Sequence, residues 1–160
     1  MGVLIRRVEV SDADEVGRLH AEVWRETYPG ILSDELISGI STEERVGRWR
    51  QIVVNRGQES RWVAVVDDTI AGFVVSGPSR DADPIRAVEL WSIHILRRFA
   101  RRGIGRALAE EAIGDAPASV WVVTANTPAQ AFYRSLGFEL DGATSTIDMW
   151  DGVAECRMTR

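Results

Sequence analysis

The 160-residue chain has the length of one ordinary domain, enough to bury about two-thirds of its unfolded surface. Its 45% hydrophobic and 27% charged residues are typical of a globular protein. A net charge of −5 disfavours nucleic acid as a partner, and no apolar run approaches the roughly 20 residues that span a bilayer. With one cysteine, Cys156, and two histidines, neither a disulfide nor a metal site is expected. We therefore expect one cytoplasmic domain over residues 1–160.

The N-terminal part of the chain predicts a strand followed by a helix. The strand covers Leu4–Glu9, where apolar and polar residues alternate. The helix begins near Ala13, with Ser11 or Asp12 as the residue whose side chain caps it. Tyr28-Pro29-Gly30 ends this helix, because proline disfavours a helical conformation in the residue before it.

A second helix and a hairpin come next. Ser41-Thr42-Glu43-Glu44 has the pattern of a capping box and predicts a helix that runs to about Val54. Trp62–Val66 and Ile70–Ser76 are rich in β-branched and aromatic residues. Asp67-Asp68-Thr69 lies between them as a turn, so these two segments are expected to pair as a hairpin.

Strands and helices alternate in the rest of the chain. The predicted strands are Val88–Leu96, Ser119–Val123, Phe138–Leu140 and Ala154–Met158. One helix runs from Gly103 to about Ile113. Another is capped by Thr127, has Pro128 in its first turn and ends at Gly137. The order β-α-α-β-β-β-α-β-α-β-β indicates an α/β fold in which helices pack on a mixed sheet.

An arginine-rich loop precedes the helix at Gly103. Leu90–Leu108 reads LWSIHILRRFARRGIGRAL, a strand that leads through the loop into a helix opened by Gly103 and Gly105. The free amides and dipole of a helix start favour an anion, and arginines add charge-assisted hydrogen bonds to phosphate. Leu108 stands where a dinucleotide fingerprint needs its third glycine, and no Gly-Lys-Ser/Thr follows as in a P-loop. Taken alone, the segment fits a pyrophosphate site or a strand–helix turn with solvated arginines.

Two motifs together resemble a known family. Ile95–Leu108 is similar to the acetyl-CoA-binding motif of the GNAT superfamily of N-acetyltransferases. Asn126–Phe138, NTPAQAFYRSLGF, resembles that superfamily's second hallmark, and the two motifs stand at the expected separation. The resemblance implies a GNAT-like sheet splayed between its fourth and fifth strands, with the pantetheine arm of acetyl-CoA in the opening.

The resemblance also assigns the residues that bind acetyl-CoA as co-substrate. Backbone groups of the fourth strand would bind the pantetheine amides: Ile93, His94 and Ile95. Loop amides would bind the pyrophosphate: Arg101, Arg102, Gly103, Ile104, Gly105 and Arg106. Asn126 would contact the co-substrate or cap the cleft. Ala100 departs from the family pattern, which has Gln or Arg there, so a side-chain contact to phosphate is missing.

Two residues are candidates for proton transfer. Glu89 matches a catalytic glutamate of some superfamily members and is the candidate base, although other members use bound water. Strand alternation places it on the same face as Trp91, Ile93 and Ile95 unless a bulge intervenes, and burial there would raise its pKa. An edge-of-strand surface glutamate is the alternative. Tyr133 matches the family tyrosine that protonates the leaving thiolate; otherwise it is a packed helix tyrosine.

Trp24 and Tyr28 belong to the region that lines the acceptor site in this superfamily, although core packing also explains the pair.

The two histidines are not candidates for catalysis. His94 is expected to point away from Glu89 into a helix–sheet layer, and His20 is expected to be structural. The acidic overall charge mildly favours a cationic small-molecule acceptor. Neither the identity of the acceptor nor the oligomeric state, monomer or homodimer, follows from the sequence.

Three functions compete. The first is transfer of an acetyl group from acetyl-CoA to a primary amine by direct attack in a ternary complex. The second is a catalytically silent, regulatory CoA-binding module. The third, a nucleic-acid-binding protein that uses the arginine cluster, conflicts with the negative net charge and lacks interleaved aromatic residues.

Overall fold

A computed structural model describes residues 2–55 and 57–160 of the chain. Seven strands form one mixed sheet in the order β1-β2-β3-β4-β5-β7-β6. The strands are β1 Val3–Arg7, β2 Ser60–Val66, β3 Thr69–Pro78, β4 Val88–Ile95, β5 Ala118–Val123, β6 Glu139–Ile147 and β7 Val153–Thr159. The α-helices are α1 Ala13–Thr27, α2 Asp34–Ser38, α3 Thr42–Val54, α4 Ile104–Ile113 and α5 Thr127–Ser135. The predicted fold class is confirmed, with the short helix α2 added to the predicted order.

Several local predictions match the backbone. Ser41 caps α3 by accepting a hydrogen bond from the amide of Glu44. Asp67 and Asp68 both have positive φ, as expected of a tight turn between two twisted strands. Gly137 has φ +90° and follows the last turn of α5, the position where a left-handed residue ends a helix.

Two predicted caps are wrong. The Asp12 side chain does not cap α1; its carboxylate accepts hydrogen bonds from the Arg6 guanidinium at 2.7 and 2.9 Å and from the Glu9 amide. The cap of α5 is Asn126, whose side-chain oxygen accepts from the amide of Ala129. Thr127 is therefore the first residue of that helix rather than its cap.

Helices cover both faces of the sheet. On one face, Leu108 of α4 and Leu136, at the end of α5, pack with Leu90 of β4. On the other face, Leu19 of α1 and Trp49 of α3 pack with the β3 face around Phe73. The central strands β3 and β4 therefore lie between two packed layers.

The sheet is open at its centre. Parallel β4 and β5 pair at only two positions, Val88 with Ala118 and Glu89 with Ser119. From Leu90 onward β4 has no ladder partner on its β5 side, whereas its other edge stays paired with β3 as far as Ile95. The predicted splay between the fourth and fifth strands is thus present, and it leaves a cleft between them.

Residues 79–87, between β3 and β4, tie the two sides together at the base of this cleft. Arg80 binds Glu89 of β4 through its backbone amide and its guanidinium, at 2.5–3.0 Å. The next residue, Asp81, accepts hydrogen bonds from Trp121 of β5 at 2.8 Å and from Arg157 of β7 at 3.0 Å. Two successive residues of one loop therefore hold β4 on one side and β5 with β7 on the other, at the point where β4 and β5 begin to diverge.

Candidate active site

The gap between β4 and β5 is a cleft of about 1220 Å³. Its lining comes from both helical layers and from the strand ends, and much of it is aromatic. The aromatic lining residues are His20, Trp24, Tyr28, Trp49, Phe73, Trp91, His94, Phe99, Trp121, Phe132, Tyr133 and Trp150. The glycine loop before α4 lies at one part of this lining, and α1 with α3 provides another. All of the predicted co-substrate and acceptor residues except Arg102 therefore line one cavity.

The loop before α4 has the backbone of an anion cradle. Arg101 and Gly103 both adopt positive φ, at +61° and +78°. The amide of Ala107 donates to the carbonyl of Gly103, so the amides of Ile104 and Gly105 lie in the first turn, where a helix offers them no acceptor. A Cβ on Gly103 would meet nothing within 4 Å, which leaves open space above the loop for a ligand.

The two glycines of this loop have different roles. Gly103 supplies the left-handed turn, which side chains other than glycine adopt with strain. A Cβ on Gly105 would stand 3.0 and 3.1 Å from ring carbons of Phe132, so Gly105 permits close packing of α4 against α5. Sequence reasoning assigned both glycines to ligand approach, and the packing role of Gly105 depends on a contact that only the fold reveals.

The arginines around the loop are not equivalent. Arg97 and Arg98 are tied to α1, where the Arg97 amide donates to Glu26 and Arg98 pairs with Glu22 at 2.7 Å. Arg106 donates to the carbonyl of Ser135 at 2.9 Å, which ties α4 to the end of α5. Arg101 and Arg106 line the cleft together with Ala100, whereas Arg102 lies outside its lining with its guanidinium over the Phe99 ring.

The predicted pantetheine segment lies along the cleft. Ile93, His94 and Ile95 all line it. Their backbone pairs with β3 on one side, and β5 has moved away on the other. An extended ligand with amide groups can therefore add to this edge in the manner of a strand.

A β-bulge changes the face on which Glu89 lies. Ser92 pairs with Val75 and Leu90 pairs with Ser76, so Trp91 is an extra residue in β4. Leu90 consequently packs on the same side as Ile93 and Ile95, and Glu89 faces the other way. The prediction that alternation places Glu89 with Ile93 and Ile95 is wrong, because an inserted residue shifts the two-residue period by one.

Glu89 is buried, and both oxygens of its carboxylate are hydrogen-bonded. Its side chain is 1% exposed, and its two oxygens accept three hydrogen bonds from Arg80. The residues that line the cleft do not include Glu89, but they do include Arg80, whose guanidinium lies 4.8 Å from the centre of the Trp91 ring. Glu89 thus holds Arg80 at the wall, and its carboxylate is not presented to the cleft.

Glu155 on β7 is an acidic group that sequence reasoning missed. It lies opposite Val123 in the β5–β7 ladder and lines the cleft. Burial, opposed by the charge of Arg80, raises the pKa of Glu155, and the nearby carboxylates of Glu89 and Asp81 add to the rise. A partly buried carboxylate with a raised pKa, facing a cleft, has the properties of a general base.

Tyr133 of α5 lines the same cleft. It is 6% exposed and packs against Phe138, with the ring centres 6.0 Å apart. Burial raises the pKa of its phenol well above the ordinary value, and the neighbouring Tyr28 phenol adds to the shift. Tyr133 is therefore protonated at neutral pH, as a proton donor must be. Asn126, the cap of α5, also lines the cleft, with its side-chain oxygen engaged by the helix.

Trp24 and Tyr28 lie together in an aromatic wall. The Trp24 ring is 5.0 Å from Tyr28 and 4.6 Å from Trp150, centre to centre, and all three residues line the cleft. Trp150 comes from the segment between β6 and β7. The Trp24 indole nitrogen is buried and has no hydrogen-bond partner in the structure.

Both histidines are neutral and lie between the sheet and α1, which is the layer predicted for His94. The expectation that His94 points away from Glu89 is wrong, because the extra residue at Trp91 puts the two side chains on the same face of β4. Their rings are 5.3 Å apart, and the Trp49 indole donates to Nδ1 of His20 at 3.1 Å. Burial lowers the pKa of His94 to about 4, with a further contribution from Arg45. Burial, His94, Arg45 and Arg48 lower the pKa of His20 to about 2.

Membrane-spanning helices and metal-binding clusters are both absent from the described ranges. No helix within residues 2–55 and 57–160 is both long and apolar enough to cross a membrane. In that same part of the chain, no three His, Cys, Asp or Glu residues cluster as ligands for a metal ion.

Comparison with known proteins identifies relatives over nearly the whole chain. The profile of the Acetyltransferase (GNAT) family matches residues 18–138. A probable N-acetyltransferase of Mycobacterium tuberculosis is 28% identical over 155 residues, which cover 94% of this chain and 88% of that protein. An uncharacterized N-acetyltransferase of Bacillus subtilis, YuaI, is 26% identical over 83% of this chain and 78% of its own.

Solved structures share the fold. The PaiA N-acetyltransferase of Thermoplasma acidophilum, crystallised with coenzyme A, superposes with a TM-score of 0.75 at 22% identity and covers 100% of this chain and 99% of its own. YncA of Salmonella typhimurium, a putative acetyltransferase solved with acetyl-CoA, has a TM-score of 0.70 at 18% identity, with 100% and 94% covered.

The two buried neutral histidines predict a pH-dependent stability. An unfolded chain protonates histidine below a pKa of about 6.5, whereas the folded protein does so only near pH 4 and pH 2. Unfolding therefore takes up protons below pH 6.5, and the stability present above that pH is lost as the pH falls. We expect the free energy of unfolding to fall between pH 6 and 5 with a slope approaching about 1.4 kcal/mol per pH unit for each histidine.

Urea unfolding at closely spaced pH values between 7.5 and 5 measures this slope. His20 and His94 are the only histidines in the chain, so His94→Gln should about halve the slope. A stability that stays constant from pH 7 to 5 would contradict the neutral, buried state of the pair.

Proposed function

The chain belongs to the Acetyltransferase (GNAT) family, and we propose that it transfers an acetyl group from acetyl-CoA to a primary amine by direct attack in a ternary complex. The observation that carries the proposal is the open β4–β5 cleft. It brings the Gly103 cradle, a free strand edge, Glu155 and Tyr133 into one cavity. The relatives named as N-acetyltransferases, and the similar folds solved with coenzyme A or acetyl-CoA, support the same activity.

The residues of the cleft fit acetyl-CoA. Positive φ at Arg101 and Gly103, with open space above Gly103, suits a pyrophosphate group on the loop amides. The free edge of Ile93–Ile95 suits the two amides of pantetheine. Arg101 and Arg106 line this part of the cleft and supply the side-chain charge that Ala100 does not. When bound, acetyl-CoA supplies the thioester acyl group.

The acceptor amine has to lose protons. A lysine-like amine has a pKa near 10.4, so its nucleophilic form costs about 4–5 kcal/mol at pH 7. Glu155 is our proposed base: it faces the cleft, and its raised pKa makes its carboxylate a better proton acceptor than an exposed one. Glu89, the base expected from the sequence, instead orients Arg80 through their ion pair.

Tyr133 is our proposed acid. As the carbon–sulfur bond breaks, the sulfur takes up negative charge, and the phenol donates its proton there. Burial keeps Tyr133 protonated beforehand, and Phe138 restricts its ring. In balance, the ammonium group first gives one proton to solvent, and the free amine then gains the acetyl group and gives its second proton to Glu155. The thiol leaves with the proton of Tyr133, which is returned from Glu155 through solvent.

Release of free thiol from acetyl-CoA in the presence of an amine library tests the activity directly. We expect thiol release that depends on the amine, together with CoA binding detected by calorimetry. Gly103→Asp should abolish both, because it adds a side chain and a negative charge to the cradle. CoA binding without amine-dependent thiol release would instead identify a catalytically silent CoA-binding module, and normal CoA binding by Gly103→Asp would exclude the loop as the pyrophosphate site.

The variant Tyr133→Phe tests whether the Tyr133 hydroxyl is the proton donor. We expect kcat to fall by at least about tenfold while the Kd of CoA stays nearly unchanged, because only the hydroxyl is removed. Steady-state kinetics and calorimetry on the same preparation make the comparison. An unchanged kcat would remove Tyr133 from proton donation.

Glu155→Gln and Glu89→Gln are matched variants that identify the base. Glu155→Gln should lower kcat/KM by about 100-fold and remove the acidic limb of its pH profile, since that limb reports ionisation of the base. Glu89→Gln should keep the acidic limb, because its carboxylate acts through Arg80. Loss of the limb in Glu89→Gln alone would assign the base to Glu89.

A further inference from the structure

Two arginines of α3 face the cleft without an acidic partner. Arg45 and Arg48 both line the cavity. Among residues 2–55 and 57–160, no carboxylate forms an ion pair with either of them. Their charges are close enough to act on each other and on His20. Two positive groups on one wall of a cleft attract an anion.

Two other arginines of the cleft are neutralised within the protein. Arg61 pairs with Glu59, and Arg80 pairs with Glu89. Arg101 and Arg106 belong to the loop proposed to bind pyrophosphate. Arg45 and Arg48 are therefore cations of the cleft that neither an ion pair nor the pyrophosphate neutralises.

The surroundings of Arg45 leave its charge unsatisfied. Its guanidinium lies 4.1 Å from the centre of the Trp24 ring, and one nitrogen is 3.2 Å from Nε2 of His20. A neutral imidazole offers one acceptor nitrogen, and the Trp49 indole already presents a donor to Nδ1 of the same ring. Arg45 and Trp49 therefore compete for one lone pair. Burial and the neighbouring Arg48 lower the pKa of Arg45, and the charge of Glu44, which forms no ion pair with it, opposes this shift only in part.

A second donor close to Arg45 also lacks a partner. The Trp24 indole nitrogen is buried and makes no hydrogen bond, although the ring lines the cleft. A buried donor without an acceptor costs about 1–3 kcal/mol. Arg45 and Trp24 therefore provide adjacent donors, one of them cationic, for an acceptor group carried by a ligand.

The co-substrate does not provide that group at this position. Its phosphates fit the loop before α4, and α4 packs on the face of the sheet opposite α1 and α3. The part of acetyl-CoA that extends from the loop along β4 is pantetheine with its acyl group, which carries no negative charge. The anion at Arg45 must then come from the acceptor.

We propose that the acceptor is an amine that also carries a carboxylate, as an amino acid does, and that Arg45 with Arg48 binds this carboxylate. The inference rests on the proposed acetyl transfer and adds the class of the acceptor. It reverses the expectation of a cationic acceptor, which followed from the net charge of −5. Net charge acts at long range, whereas the charges that line the cleft decide what binds there.

Paired ligands test the proposal. The protein amino acids and their carboxamides differ only at the carboxylate, and each pair is titrated into the wild-type protein saturated with CoA, by calorimetry and tryptophan fluorescence. We expect amino acids to bind at least about tenfold more tightly than their carboxamides, as loss of a charge-assisted contact implies. Acetylation of the same pairs should show the same preference in kcat/KM.

Arg45→Gln should remove this preference by weakening amino-acid binding at least about tenfold more than carboxamide binding, and the Kd of CoA reports whether the protein stays intact. Arg48→Gln changes an exposed position of the same wall, so it tests the site without disturbing buried contacts. The matched control is Arg50→Gln: Arg50 lies on the same helix but pairs with Asp14 at the surface, and the preference should be retained.

Equal binding of amino acids and carboxamides, or an equal loss for both in Arg45→Gln, would overturn the carboxylate site. Carboxamides acetylated as well as amino acids would overturn it too and leave the acetyl transfer intact. Conversely, carboxylate-selective binding without any acetylation would support the site and reject the transferase activity.

Discussion

The site depends on one constraint, the restriction of β4–β5 pairing to two residue pairs. Parallel strands in an ordinary sheet would pair along their length and close the gap, so each unpaired residue of β4 needs another partner for its backbone. At the edge of Ile93–Ile95 water in the open cleft can meet this need, and an extended ligand with amide groups can take the place of that water. Divergence also places α4 and α5 on one wall and α1 and α3 on the other. The loop that carries Arg80 and Asp81 fixes the point at which divergence begins, since its consecutive side chains bind β4 on one side and β5 with β7 on the other.

Local chemistry made much of the fold predictable. The Ser41 cap, the paired aspartates of the β2–β3 turn and the glycine after α5 each act within a few residues, and the structure has all three. The Gly103 loop could be predicted because the sequence there matches a motif of the family. The face of Glu89 was not predictable. One extra residue at Trp91 reverses the alternation, and it is detected only from the register with β3.

The remaining site residues belong to the cleft because of contacts with residues that are distant in the sequence. Glu155 stands on the last strand, far from both motifs in sequence, and becomes part of the cleft because β7 inserts between β5 and β6. Arg45 had a weak signal: it lies four residues before the buried Trp49 on α3, which places a charge on the packed face of a helix. A charge on the packed face of a helix is expected to have an acidic partner nearby. That none of the described carboxylates forms an ion pair with Arg45 follows only from the fold.

The electrostatics of the cleft link the neutral histidines to the acceptor. His20 lies beside Arg45 and His94, and the positive charges of Arg45 and Arg48 contribute to its low pKa together with burial. Protonating His20 would add a third positive charge to a wall that already has two without partners. An anion bound at Arg45 removes part of that repulsion, and it releases the lone pair for which Arg45 and Trp49 compete. The low pKa of both imidazoles makes them weak proton acceptors at neutral pH. Their neutral state allows Arg45 to lie 3.2 Å from His20, and the proton transfers that we propose are assigned to Glu155 and Tyr133 instead.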